Sequence, residues 1–173
     1  MGKRSEFERK DRDFYPTPYK AVEPLLPHLP ESFTFAEPCA GDGRLISHLL
    51  KNGGNIRYAF DIEPMHEWVT YGDALSKGYT QCDYIITNPP WNRKILHPMI
   101  EHFVDFKPTW LLFDADWMHT KQSIPYIKYL IKIVSIGRVK WIEDSSGVGK
   151  DNCCWYLFNK NKSEEIKFVG RNI

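Results

Sequence analysis

Asn88-Pro89-Pro90-Trp91 follows the apolar run Tyr84-Ile85-Ile86-Thr87, and these residue types can handle a planar amine. The exocyclic amine of an aromatic base is a poor nucleophile because its lone pair is delocalised into the ring. Two acceptors, the Asn88 side-chain oxygen and the Pro89 carbonyl, can bind its two hydrogens and draw the nitrogen toward a tetrahedral geometry. Tandem prolines stiffen the backbone that aims these acceptors. Trp91 offers a face on which a base can stack, an interaction worth roughly 1 to 3 kcal/mol. The plain alternative is an Asn-Pro turn after a strand; the apolar run before it and the aromatic after it favour chemistry.

Upstream lies Glu37-Pro38-Cys39-Ala40-Gly41-Asp42-Gly43. Its glycines tolerate a positive φ and let the backbone approach a ligand at a helix start, although a lone Gly-x-Gly also serves as a tight turn. Arg44-Leu45-Ile46 follows, so the third glycine of a dinucleotide fingerprint is missing, as is a Gly-Lys-Ser/Thr phosphate cradle. An acid at position 37 suits an amine-bearing ligand better than a pyrophosphate. Asp61 stands where a carboxylate can accept hydrogen bonds from ribose hydroxyls, with Glu63 as a substitute. Asp73, in Gly72-Asp73-Ala74, could meet an adenine amino group or simply start a turn. His119 after Asp114 and Asp116 lacks a second histidine cluster, so these read as polar loop residues and no metal is expected.

Positioning these residues requires a sheet. Residues 33–37 form an apolar run, Leu45, Ile46, Leu49 and Leu50 repeat at helical spacing, and 56–60 form a second apolar run ending at Asp61. That is a β-α-β unit of roughly 30 residues. Further strands are expected at 68–71, 82–87, 109–113, 133–142 and 153–158, with helices at 95–106 and 124–131. Alternating strands and helices predict a single α/β domain, a Rossmann-like doubly wound, mostly parallel sheet with helices on both faces. In such sheets ligands bind beyond the carboxyl ends of the strands, and Glu37, Asp61, Asp73, Asn88, Asp114 and Asp116 all fall there. Residues 1–12 are mostly charged and read as a mobile arm ahead of one domain spanning 13–173.

Composition narrows the classes. With 173 residues, 42% of them hydrophobic, the chain can bury a core unaided. Its formal charge of +1 excludes a strongly basic nucleic-acid coat, so any attraction for a polyanion must be local. Cys39, Cys82, Cys153 and Cys154 form no Cys-x-x-Cys pair and read as buried, reduced thiols of a cytoplasmic protein. No apolar run reaches the length of about 18 residues that a membrane span needs, and no signal-peptide core follows Met1.

Taken together, Glu37 to Gly43, Asp61, Gly72-Asp73 and Asn88 to Trp91 resemble the class I S-adenosylmethionine (SAM)-dependent methyltransferases, in particular the amino-methylating branch that includes DNA adenine-N6 enzymes. Asp13-Phe14-Tyr15-Pro16-Thr17-Pro18 resembles the segment that wraps over the methionine end of the cofactor in enzymes with this motif order. The resemblance covers residues 13 to about 91 by motif and continues to about 158 by strand pattern alone. It implies SAM as cofactor, with Tyr15 and Thr17 lining its site. Glu37 would meet the methionine amine, while Pro38, Ala40, Gly41 and Gly43 form the turn around it. Asp61 and Ile62 would hold the ribose end and Asp73 and Ala74 the adenine. Asn88 borders both sites, and with Pro89, Pro90 and Trp91 it would hold the target amine. The 152–158 strand could add a base-stacking aromatic or be plain core.

Adenine N6 in DNA is the first expected substrate, with the base flipped out of a duplex or taken from a single strand. RNA adenine or a protein glutamine amide would use the same chemistry, and a non-catalytic SAM-fold accessory subunit is the reading from a different class. DNA enzymes of this kind commonly carry a separate recognition domain, and nothing after Phe158 is long enough for one. Target selection is therefore expected from the loops at 91–98, 117–124 and 143–151, whose Arg93, Lys94, Lys121 and Lys150 could meet phosphates, or from a helper subunit.

Overall fold

The computed structural model describes residues 15–142, 149–161 and 165–171. The expected N-terminal arm, and most of the 143–151 loop, lie outside them.

The chain opens with one helical turn, α1 (Tyr19–Val22), that runs into a 3-10 segment, Glu23–His28. There follow β1 (Phe33–Glu37), α2 (Arg44–Leu50), β2 (Gly54–Asp61), β3 (Thr70–Tyr71), β4 (Tyr84–Thr87), α3 (Arg93–Val104), β5 (Thr109–Asp114), α4 (Ile124–Ile127), β6 (Leu130–Arg138), β7 (Asn152–Phe158) and β8 (Lys167–Val169). All eight strands join one sheet in the order β3-β2-β1-β4-β5-β7-β6-β8. β7 pairs antiparallel with both β5 and β6, and the other pairings are parallel. The doubly wound, mostly parallel sheet read from the sequence is therefore the observed one: β2 and β3 are added on one side of β1 and β4 and β5 on the other, which makes β1–β4 the switch point.

Side-chain alternation along the strands builds two cores. Phe33, Phe35, Trp110, Leu112, Trp155 and Leu157 pack on one face against Ala21 and Val22 of α1 and Leu45, Ile46 and Leu49 of α2. The Trp155 indole N–H donates to the Ala21 carbonyl at 2.7 Å, which fixes α1 to the sheet. On the opposite face Ala36, Ile85, Leu111, Phe113, Tyr156 and Phe158 meet Leu96, Met99, Ile100 and Phe103 of α3. Burial on both faces explains why the central strands read as continuous apolar runs.

Three expectations need correction. The helix expected over 124–131 is a single turn, because the 130–138 segment pairs with β7 from Leu130 onward. Long-range strand pairing wins over a local helical pattern that begins at Ile124-Pro125. The strand expected at 133–142 ends at Arg138, just after a register shift at Gly137, whose φ is 75°, which leaves Trp141 outside it. Trp68 and Val69 lie outside the short β3; the Trp68 ring instead packs over the Gly43 backbone and meets the His66 ring at a tilt, centroids 4.6 Å apart. The α1 turn, its 3-10 extension and β8 had no sequence counterpart.

Candidate active site

β1 and β4 are parallel neighbours, paired at Phe35↔Tyr84 and Ala36↔Ile85, so the glycine turn and the Asn-Pro-Pro segment leave the sheet side by side. Gly41 and Gly43 adopt φ of 50° and 75°, the left-handed region where a Cβ is costly. A Cβ on Gly43 would also lie 2.5 Å from the Trp68 ring. The turn closes through Gly43 N–H to the Ala40 carbonyl at 2.7 Å, and Ala40 N–H reaches the Phe60 carbonyl on β2 at 2.8 Å. Asp61 completes the frame: its carboxylate accepts the Gly41 and Glu63 backbone N–H groups, both at 2.8 Å. Besides any ligand role, Asp61 thus holds the β1 turn to the end of β2.

A cleft of about 700 Å³ opens above these strand ends, within the size range of small-molecule sites. Of the residues singled out from the sequence, Tyr15, Thr17, Glu37, Pro38, Ala40, Asp61, Ile62, Asp73, Ala74, Asn88 and Pro90 line it. Gly41 and Gly43 shape the turn beside it, and Pro89 and Trp91 stand outside its lining. The sequence reading did not include Met65, Leu75, Asn92, Ile95 and Met99, which complete the wall. The helical spacing of Ile95 and Met99 was the one signal available for them.

Glu37 is the electrostatic centre of the cleft. It is only 2% exposed. The Ile46 backbone N–H serves its carboxylate, while Oε2 is buried without a partner among the described residues. Burial, followed by the negative charges of Asp61 and Asp42, holds this carboxyl well above the usual carboxylate range. An unpartnered buried acceptor in a cavity is costly unless a ligand donor meets it, and a cationic amine is the ligand group that repays it best. SAM carries such an amine, so the residues present fit this cofactor. Cys39, expected to be buried, is half-buried in the cleft wall, and desolvation followed by the charge of Asp61 pushes its thiol up, away from the thiolate form.

Asp73 accepts the Leu75 N–H at 2.9 Å and caps a short 3-10 turn, Ala74–Ser76. The buried Tyr79 hydroxyl supports that turn by donating to the Ala74 carbonyl at 2.8 Å. Asn88 is held on three sides. Its Nδ2 donates to Thr17 Oγ1 at 3.2 Å and to the Tyr15 carbonyl at 3.4 Å, and its Oδ1 accepts from the Trp91 indole at 3.4 Å. Trp91 is half-buried and packs edge-on against Trp141, ring centroids 5.9 Å apart; Trp141 in turn meets Tyr15 at 6.4 Å.

Arg93 forms an ion pair with Asp114 and also donates to the Trp91 carbonyl at 3.5 Å, so it braces the turn and is not a free phosphate contact. Trp155 and Tyr156 are fully buried; the last long strand supplies core aromatics and no stacking surface. Among the described residues no group of His, Cys, Asp or Glu is arranged to hold a metal, and none forms a helix long and apolar enough to cross a membrane. All four cysteines are unpaired.

No protein-family model matches this sequence, and no curated protein does. Solved structures do. A candidate RNA methyltransferase from Pyrococcus horikoshii is similar at a TM-score of 0.67 and 16% identity, over 91% of this chain and 94% of that one. A candidate class I SAM-dependent methyltransferase from Listeria monocytogenes gives 0.64 at 9% identity, over 96% of this chain and 68% of the other. A dimethyladenosine transferase from Plasmodium falciparum gives 0.58 at 19% identity, over 84% and 62%. With the strand order and the lone antiparallel β7, these likenesses show that the chain adopts the Rossmann-like fold of the class I SAM-dependent methyltransferases.

Proposed function

We propose that this protein transfers a methyl group from SAM to an exocyclic amino group of a nucleic-acid base, adenine N6 first. The observation that carries the reading is one cleft that combines the unpartnered buried carboxylate oxygen of Glu37 with the braced Asn88 amide. Bound SAM would supply an electrophilic methyl on a sulfonium whose sulfur takes the bond electrons as it leaves. Glu37 holds the amino-acid ammonium. Tyr15 and Thr17 flank that end, and the turn from Pro38 through Ala40, Gly41 and Gly43 lets the backbone approach. Asp61 and Ile62 serve the ribose, and Asp73 and Ala74 the adenine edge. Asn88 and the Pro89 carbonyl accept the two hydrogens of the target amine, and Pro90 stiffens the wall beside them. With the nucleophile and methyl held in line, positioning supplies most of the rate; the methylated nitrogen takes over the positive charge and then loses one proton to water, so no side-chain base of high strength is needed.

RNA stands level with DNA as the substrate. The sequence reading placed DNA first, but a candidate RNA methyltransferase and a dimethyladenosine transferase are among the structural neighbours.

The test is incubation with methyl-labelled SAM and, separately, duplex DNA, single-stranded DNA, total RNA and protein extract, followed by digestion and mass spectrometry. N6-methyladenine in either nucleic acid is the expected product. Label confined to glutamine would keep the amine chemistry and replace the substrate; SAM binding without transfer to any of the four would overturn the enzymatic reading in favour of an accessory subunit.

A further inference from the structure

Four exposed cations lie on segments that meet at the carboxyl end of β6. β6 is antiparallel to β7, which is antiparallel to β5, so β6 runs with β5 and ends at the same sheet edge as Asn88. Arg138 is the last residue of β6 and Lys140 follows two positions on, both exposed. The Gly149 N–H bonds the Val139 carbonyl at 2.8 Å, which brings the exposed Lys150 beside them. Arg171 joins from the segment after β8: its guanidinium lies against Gly137, where a Cβ would stand 2.9 Å from it. Gly137 has a φ of 75°, so the backbone there makes room for that side chain. The ion pairs among the described residues use Arg44, Arg93 and Lys160, and none of these four. The described residues of 137–142, 149–151 and 165–171 hold five bases and two acids, Asp151 and Glu165, and the sequence adds Glu143 and Asp144 between the first two segments. In a chain with a net charge of only +1, the described residues of this surface carry a local excess of positive charge.

Within the same stretch Trp141, half-buried, touches Trp91 and Tyr15, and both of those residues hydrogen-bond Asn88. An aromatic path thus links the basic edge to the Asn88 amide. We propose that Arg138, Lys140, Lys150 and Arg171 form a docking surface for the sugar-phosphate backbone of a nucleic-acid strand flanking the target base, with Trp141 as the stacking residue between that surface and the cleft. The inference rests on the nucleic-acid reading above and names the surface that reading lacks. A backbone-tracking cationic edge with an aromatic platform is how proteins hold single strands without a separate recognition domain.

The test is fluorescence-anisotropy titration of the full chain, without SAM, against labelled single-stranded RNA and DNA oligonucleotides over a series of salt concentrations. The wild type is expected to bind, with affinity falling as salt rises. The triple variant Arg138→Gln, Lys140→Gln, Arg171→Gln is expected to bind at least about ten-fold more weakly at low salt and to show a log-log salt slope smaller by about 2, since each lost phosphate contact removes roughly 0.7 on a single strand. SAM affinity, measured by calorimetry on the same variant, should stay within about two-fold, because none of the three lines the cleft. Trp141→Leu should weaken binding with the slope unchanged. Equal binding by wild type and triple variant, or no oligonucleotide binding at all, overturns the surface. Oligonucleotide binding through these residues without methyl transfer would instead uphold the surface and overturn the proposed reaction.

Discussion

The indole N–H of Trp91 donates to Oδ1 of Asn88 across 3.4 Å, so the fourth residue of the motif acts on the first. Asn88 Nδ2 is held by Thr17 Oγ1 and the Tyr15 carbonyl, and the Trp91 bond fixes the other end of the amide. The arrangement selects the rotamer in which Oδ1, already accepting from Trp91, has one lone pair left for a ligand donor. Trp91→Phe keeps a ring and removes the donor. A hydrogen bond worth about 1 to 1.5 kcal/mol corresponds to a fall in kcat of about ten-fold, with KM for the methyl acceptor changed less than about three-fold. A stacking role would leave the phenylalanine variant near full rate, so unchanged or faster turnover sinks the orienting role.

Asp61 has two duties that substitution separates. Its carboxylate accepts the Gly41 and Glu63 N–H groups and lines the cleft. Asp61→Ala leaves two backbone donors unserved and is expected to lower folding stability by about 1 to 3 kcal/mol as well as weakening SAM binding. Asp61→Asn retains one acceptor oxygen and should fall between. Denaturant unfolding and calorimetry read the two effects independently; a variant with weakened SAM binding and wild-type stability would show that the backbone bonds contribute nothing.

Much of this layout was legible in the chain itself, for physical reasons that differ by element. The central strands β1, β4 and β5 are buried on both faces, so their apolar runs carry the signal locally, and the acids at their ends follow from where loops must begin. The 124–138 region was illegible because its outcome depends on β7, and Leu130 pairs with Phe158, far along the chain. The stretch through α1 and the 3-10 turn holds Pro18, Pro24 and Pro27, and it earns its helical turns by packing Ala21, Val22 and Leu25 on the sheet. In the site, single residues were readable, whereas pairings were not: neither the Trp91–Trp141 contact nor the Arg93–Asp114 ion pair leaves a spacing pattern.

Gly43 couples the turn after β1 to the β2–β3 loop. Its φ of 75° already disfavours a Cβ, and the Cβ would meet the Trp68 ring at 2.5 Å. Gly43→Ala is expected to lower stability by about 1 to 2 kcal/mol through the left-handed backbone alone and to displace Trp68, whose intrinsic fluorescence should shift toward solvent. Adding Trp68→Ala removes the clash and leaves the backbone cost, so the double variant should recover part of the loss. Full recovery would show that the backbone conformation carries no cost at this position.

Glu37 is expected to make both stability and SAM binding depend on pH, in opposite directions. Its folded-state carboxyl is held well above its ordinary value, first by burial and then by the charges of Asp61 and Asp42. The folded protein therefore holds this proton more tightly than the unfolded chain, and the contribution to stability is fully present below the ordinary carboxylate value and lost as pH rises toward the raised one. An ammonium ligand favours the ionised carboxylate, so SAM affinity should rise with pH over the same window as binding expels the proton. Glu37→Gln keeps the shape and removes the titration. It is expected to be more stable than wild type at neutral pH, to bind SAM at least about ten-fold more weakly there through loss of a charge-assisted hydrogen bond worth about 1.5 to 3 kcal/mol, and to lose the pH slope of both quantities. Thermal melts and calorimetry across the window check this; a variant that keeps the wild-type pH slope of SAM affinity would assign the ammonium contact to another residue.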